Sequence, residues 1–374
     1  MVGAWLTSAR QWWRPNAWKL VVAMVLYHGW NHAVLVFRAF TLLRRRFPQH
    51  SYFRALWSSC IYILTVQLGE IGNVAFGVSQ PRLVRRTLAS SLRLRTNDFK
   101  YGPHERHALD LFGTTKDASS ISRPVVIFIH GGAWAMTNKF HYAAVGQELA
   151  KHGILTVVAN YRVFPHGDVE DMLEDLSSIV QWTVDNIASY GGDIGNITLS
   201  GHSSGAHVSS LLLLQSARRI AANIPQKFEA AKHIKTYVGL SGPYDMDDHY
   251  AFEAGRSIGP FRAHAISPLH PSMHGRKHFG SFSTPQLVQP GLKLPPRMLL
   301  YHGIDDVVVP LSATVKLAKS LRDAGTAVDV VELPCGHVEP LLALMGEDAA
   351  LKEAFFASFL PVVRRPRWPL PSKL

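Results

Sequence analysis

Two cysteines in 374 residues, Cys60 and Cys335, leave no disulfide framework to hold this chain together. No low-complexity stretch dominates, and a hydrophobic share of 47% against 18% charged residues rules out an intrinsically disordered chain and leaves enough apolar material for one large core. Lys and Arg outnumber Asp and Glu by 39 to 27 but form no single basic stripe, which speaks against a nucleic-acid partner. Clean hydrophobic runs of membrane-spanning length are also missing. Leu20 to Phe37 is about long enough but carries His28, Asn31 and His32, and Ala55 to Leu68, continuing towards Phe76, is broken by Gln67 and Glu70. The start of the chain holds Trp5, Trp12, Trp13 and Trp18 with no clean small-residue cleavage site, which disfavours a signal peptide.

What the N-terminal part does contain is apolar sequence flanked by tryptophan and arginine, the pattern of an interfacial anchor. The expectation is a membrane-anchoring region over residues 1–97, with two helices facing each other as a hairpin and His28, Asn31 and His32 turned to the partner helix. Arginines sit both in the connecting loop (Arg38, Arg44, Arg45, Arg46, Arg54) and after the second segment (Arg82, Arg85, Arg86, Arg93, Arg95), so charge alone does not set orientation. His28 and His32 share a helix face but have no recognisable third ligand, and His264, His270, His274 and His278 lie at irregular spacing in a loop-like region. No metal site is expected from either group.

From Asp98 onward, short β-rich runs alternate with amphipathic stretches, which predicts an α/β domain over 98–374, a mostly parallel central sheet with helices on both faces. The strands are expected at Val125–Ile129, Ile154–Ala159, Ile197–Ser200, Lys235–Leu240, Met298–Tyr301 and Val328–Leu333, led by a hairpin of Phe99–Tyr101 with Ala108–Phe112. Helices are expected over Val169–Ile187, acidic near its start, and Ser204–Arg218. Between 241 and 295 the alternation lapses into proline, glycine and histidine, which reads as a cap-like insertion.

The chemistry-bearing residues fall at strand ends. Gly201-His202-Ser203-Ser204-Gly205 lies between a strand and a helical stretch, the setting in which a sharp turn projects a serine hydroxyl towards a base. Ser203 is therefore the candidate nucleophile. His130-Gly131-Gly132-Ala133-Trp134 follows an earlier strand, and bare glycine N–H groups there suit an oxyanion, so Gly131 and Gly132 with the N–H of Ser204 are the candidate oxyanion hole. An acid and then a histidine should follow the serine, each after a later strand. His302-Gly303-Ile304-Asp305-Asp306 and Cys335-Gly336-His337 occupy those places, with His337 as base and either aspartate as its orienting partner. Cys335 lacks the strand-turn-helix setting of Ser203, and His202 is expected to point away from the base and pack. The sequon at Asn196 opens a strand, which disfavours its glycosylation.

Asn160-Tyr161-Arg162-Val163-Phe164-Pro165-His166-Gly167, Asp171-Met172, Tyr190-Gly191-Gly192-Asp193 and Gly201 to His207 together resemble isoprenylcysteine methylesterase, a membrane-associated branch of the α/β-hydrolase family. The resemblance runs from about Phe99 to the C-terminal region and weakens between Ser241 and Pro295. Members of that branch commonly have glutamine where His166 and His202 stand and alanine where Ser204 stands; the last change leaves the backbone N–H in place. The resemblance implies an α/β-hydrolase fold and hydrolysis of a prenylcysteine methyl ester, and family spacing favours Asp306 over Asp305. It implies no cofactor, with a lipophilic ester and membrane lipid as partners; an endoplasmic reticulum or Golgi location is expected, and the basic flanks of both apolar segments favour a catalytic part in the cytosol. An arylformamidase or a general carboxylesterase or lipase shares the same motifs, and a silent hydrolase fold used for binding would show a lost triad member. Oligomeric state is not encoded in any of these motifs.

Overall fold

The structure, a computed structural model, describes residues 29–79, 98–114, 122–258 and 261–364. The chain divides into two compact units, Met1–Leu64 and Thr65–Leu374. In the first, helix α1 (residues 29–46) is followed by helix α2 (Tyr52–Ser79), which runs on into the second unit. Phe40 and Tyr52 bring their rings to 6.3 Å, and the Arg44 guanidinium lies 4.3 Å above the Tyr52 ring. Large apolar side chains nevertheless remain open to solvent, with Trp30, Phe37, Tyr52, Phe53 and Trp57 at 62% to 77% exposure.

No helix of the described residues is long and apolar enough to cross a membrane. The expected second span lies inside α2, where Ser58, Ser59, Gln67 and Glu70 dilute its apolar character. Of the expected first span, residues 20–28 lie outside the described residues, as does His28. The expected second span thus finds no support among the described residues, and the expected first span lies partly outside them.

The second unit is built on an eight-stranded sheet: β1 (Phe99–Lys100), β2 (Ala108–Phe112), β3 (Arg123–Ile129), β4 (Leu155–Ala159), β5 (Gly192–His202), β6 (Ile234–Leu240), β7 (Arg297–Gly303) and β8 (Val328–Leu333). Their spatial order is β1-β2-β4-β3-β5-β6-β7-β8. β2 pairs antiparallel with both β1 and β4, and every other pairing is parallel. Parallel strands are buried on both faces, so they read as continuous apolar runs, and β3 shows how the faces divide. Val125, Ile127 and Ile129 join one core with residues of α4 (Val169–Asn186), α5 (Ser204–Ala221) and α7 (Leu311–Asp323). Val126 and Phe128 join the other, with residues of α3 (Ala143–Lys151), α8 (Glu339–Leu344) and α9 (Ala349–Arg364). α4 starts where the sequence predicts: the Asp168 carboxylate accepts from the N–H groups of Glu170 and Asp171, and Glu170 and Asp171 add negative charge at the positive end of the helix dipole. Between β6 and β7 the chain forms α6 (Met246–Ala254), a two-stranded ribbon and a series of single helical turns.

Candidate active site

The turn from β5 into α5 places Ser203 at φ 54°, ψ −127°, a backbone position that side-chain-bearing residues seldom occupy and that recurs at functional sites. Close packing makes it possible. A Cβ on Gly201 would come within 2.5 Å of Gly205, and one on Gly205 within 2.3 Å of the Ile129 carbonyl, so only glycines let the turn close against β3. The Ser203 N–H donates to the Leu240 carbonyl at 2.8 Å, which ties the elbow to the neighbouring strand.

Around this serine the chain brings together residues 134 and 103 positions apart. Ser203 Oγ lies 3.0 Å from His337 Nε2, and His337 Nδ1 lies 2.7 Å from Asp306 Oδ2. Asp306 is buried and Asp305 is exposed. Asp306 Oδ1 accepts the N–H groups of Val308 and Val309, each at 2.8 Å. Burial pushes the Asp306 pKa up, but the hydrogen bond and charge of His337 and these two N–H groups outweigh it and hold the carboxyl below its ordinary value. The loops that carry the aspartate and histidine follow adjacent strands and are laced together, since the Asp305 N–H donates to the Cys335 carbonyl at 3.0 Å and Gly303 leaves no room for a Cβ against Gly336.

The glycine loop after β3 lies against the elbow. A Cβ on Gly131 would stand 3.1 Å from that of Ser203, and Gly132 has φ 114°, open to glycine alone. Ser204 is the first residue of α5, where a backbone N–H has no partner within the helix. The sequence's candidate oxyanion donors, Gly131, Gly132 and Ser204, thus lie on the loop and turn that pack together at Ser203.

Several side chains do more here than the sequence alone suggests. His202 does not point away from the base: its Nε2–H donates to the His337 carbonyl at 3.0 Å, with the two rings 4.9 Å apart. Full burial, reinforced by the nearby His337, pushes the His202 pKa down to about 3, so it donates as a neutral ring. His302 adds a second ring beside the acid, 3.4 Å from Asp306 Oδ2, while donating to the Val309 carbonyl. His207 accepts from Trp134 Nε1 and donates to the Phe282 carbonyl, joining the glycine loop to the segment between β6 and β7. Cys335, weighed as a second nucleophile, has its thiol pushed up to about 11 by burial and by the carboxylates of Glu339 and Asp348, which removes the thiolate.

Among the described residues, two groups have donors close enough to share a cation, His104 with Glu105 and His166, and Asp168 with Glu170 and His274. Neither includes a residue around Ser203. In each a histidine already pairs with a carboxylate, His166 with Glu105 at 3.2 Å and His274 with Asp168 at 3.3 Å.

The BD-FAE family model matches residues 109–321, more than half of the chain. The probable isoprenylcysteine alpha-carbonyl methylesterase ICME of Oryza sativa subsp. japonica is 32% identical over 80% of this chain and 68% of its own length. This chain belongs to the isoprenylcysteine methylesterase-like branch of the α/β-hydrolases. A probable isoprenylcysteine alpha-carbonyl methylesterase of Arabidopsis thaliana is 33% identical over 62% of this α/β-hydrolase and 48% of its own length, so the chain spans about half of that relative. Esterase B of Lactobacillus rhamnosis shares the fold, with a TM-score of 0.59 at 18% identity over 79% of this chain and 95% of that one.

Proposed function

We propose that this α/β-hydrolase is a serine carboxylesterase that cleaves a lipophilic methyl ester through an acyl-enzyme on Ser203. The observation that carries the reading is the continuous line of contacts from Asp306 through His337 to Ser203, ending beside the bare backbone of Gly131. His337 Nε2 takes the Ser203 proton as the hydroxyl attacks the ester carbonyl, and Asp306 holds Nδ1–H in place and offsets the imidazolium charge. The developing oxyanion meets the N–H groups of Gly131, Gly132 and Ser204. His337 then protonates the leaving alcohol. Water, activated by the same imidazole, releases the acid and restores Ser203. These steps use side chains and backbone of this chain alone.

Two observations support a lipophilic ester. Ile304, Val307 and Val308, all within two residues of Asp306, are exposed to solvent. The relatives named isoprenylcysteine alpha-carbonyl methylesterases suggest a prenylcysteine methyl ester as the form such a substrate takes. The exposed aromatic side chains of α1 and α2, with Arg38, Arg45 and Arg54 on the same helices, suit adsorption to an anionic lipid surface such as the cytosolic face of the endoplasmic reticulum or Golgi.

The test is turnover by purified full-length protein of three compounds: a prenylcysteine methyl ester, a short p-nitrophenyl ester and a formyl amide. The reading expects the prenylcysteine ester to have the highest kcat/KM. Preference for the short ester would leave a general carboxylesterase, and preference for the amide would replace the reading with a formamidase.

A further inference from the structure

The loop from Gly131 to Thr137 runs through unfavourable backbone geometry, with Ala133, Trp134 and Thr137 at φ 49°, 59° and 69°. For a β-branched residue such as Thr137 this region is a true outlier, and such conformations persist only where the surroundings over-determine them. Thr137 is held from several sides, with His130 Nδ1 3.1 Å from its hydroxyl. Its hydroxyl donates to the Gly131 carbonyl at 2.8 Å, its carbonyl accepts from Arg106 Nη2 at 3.0 Å, and its N–H donates to Glu70 Oε1 at 2.7 Å. Arg106 is braced in turn, its Nε donating to the Tyr161 carbonyl at 2.7 Å, while the Tyr161 hydroxyl donates to the His130 carbonyl at 2.9 Å. Met136 lies directly on Gly69, where a Cβ would come within 2.2 Å of its sulfur.

Glu70 and Gly69 belong to α2, in the part of that helix that lies in the second unit. The consequence for the oxyanion site follows from peptide geometry. The Gly131 carbonyl and the Gly132 N–H are the two ends of one planar trans peptide and point in opposite directions. Whatever fixes the Gly131 oxygen therefore aims the Gly132 N–H. Thr137 Oγ and His130 Nδ1, each 2.8 Å away, hold that oxygen, and the Glu70 carboxylate, by accepting the Thr137 N–H in a short charge-assisted bond, holds Thr137.

We propose that Glu70 is a positioning residue for the oxyanion hole, acting through Thr137 on the Gly131–Gly132 peptide. This rests on the serine-esterase reading above and adds to it that α2 completes the catalytic apparatus. A catalytic part beginning at residue 98 lacks one of its supports.

Full-length Glu70→Ala, Glu70→Gln and Thr137→Val are compared with the unsubstituted protein for kcat and KM on a short p-nitrophenyl ester. The inhibition constant of a trifluoromethyl ketone, whose adduct with the serine places an oxyanion in the hole, and the Tm are measured alongside. A complete oxyanion donor is worth about 100- to 1,000-fold in kcat, and a misaimed one costs less, about 10- to 100-fold. Glu70→Ala and Thr137→Val are expected to lose that much kcat with KM within about twofold, and to bind the ketone more weakly by the same factor. Glu70→Gln, whose amide oxygen still accepts the N–H, recovers most of both. If Glu70→Ala loses its fold, Thr137→Val carries the test, because it breaks the relay while leaving the Glu70 bond intact. Unchanged kcat and ketone affinity in Thr137→Val, or a kcat loss without weaker ketone binding, overturns the proposal. An unsubstituted chain that neither turns over the ester nor binds the ketone overturns the esterase reading itself, whereas turnover insensitive to all three substitutions overturns only the role of Glu70.

Discussion

Asp305 and Asp306 are neighbours with the same side chain, and their environments separate them. Asp306 spends one oxygen on two backbone N–H groups and turns the other to His337, while Asp305 stands in solvent with its N–H committed to the next loop. Asp306→Asn keeps the shape but presents an amide where the imidazole N–H expects an acceptor, so kcat is expected to fall by about 10⁴-fold. His337→Ala removes the proton carrier itself and is expected to cost still more, about 10⁶-fold. Asp305→Asn should stay within about twofold of the unsubstituted protein, as surface changes away from such contacts usually do. Steady-state turnover of a soluble ester measures all three, and a loss in Asp305→Asn larger than in Asp306→Asn would reassign the acid.

At the scale of elements, α2 is where reading the sequence and reading the structure part company. Its apolar stretch was legible as a helix, and its exposed Phe53 and Trp57 lie beside and within the expected second segment. Phe53→Ser with Trp57→Ser should therefore reduce co-sedimentation with anionic vesicles several-fold while turnover of a soluble ester is unchanged; undiminished co-sedimentation would move the lipid contact elsewhere. The strands and the residues at their ends were readable because β3, β5, β7 and β8 each contain a short β-rich run, and their C-terminal ends collect the glycine loop, the serine, the aspartate and the histidine in chain order. The support from Glu70 was not readable. It lies 67 residues before Thr137, and a carboxylate interrupting an apolar helix looks like a flaw in a membrane span until its partner is seen. His202 was misjudged for a similar reason, because the position of the His337 carbonyl depends on a loop 135 residues away.

For the molecule as a whole, buried histidines make stability depend on pH. Burial lowers His130 and His202 to about 3 and His207 to about 4, against an ordinary value of 6.5. In the unfolded chain each takes up a proton as the pH falls through 6.5, while the folded chain stays neutral. The unfolded state then binds more protons, so these groups destabilise the fold progressively below pH 6.5 and leave it unaffected above. Each contributes about 1.4 kcal/mol per pH unit once well below 6.5. The depressed pKa of Asp306 acts in the same direction at still lower pH. Urea midpoints are expected to be level between pH 7 and 8 and to fall steeply from about 6 to 5; a level profile to pH 5 would mean that these histidines ionise in the folded state.

The central claim is that Ser203 carries the acyl group, and trapping that intermediate tests it most directly. Full-length protein is mixed with excess p-nitrophenyl ester, quenched in acid during the burst, digested and examined by mass spectrometry. The account predicts one acyl group per chain, located on the peptide that contains Ser203, and neither adduct nor turnover in Ser203→Ala of unchanged Tm. Hydrolysis that persists in Ser203→Ala, or an acyl group found on Cys335 or another residue, would contradict it.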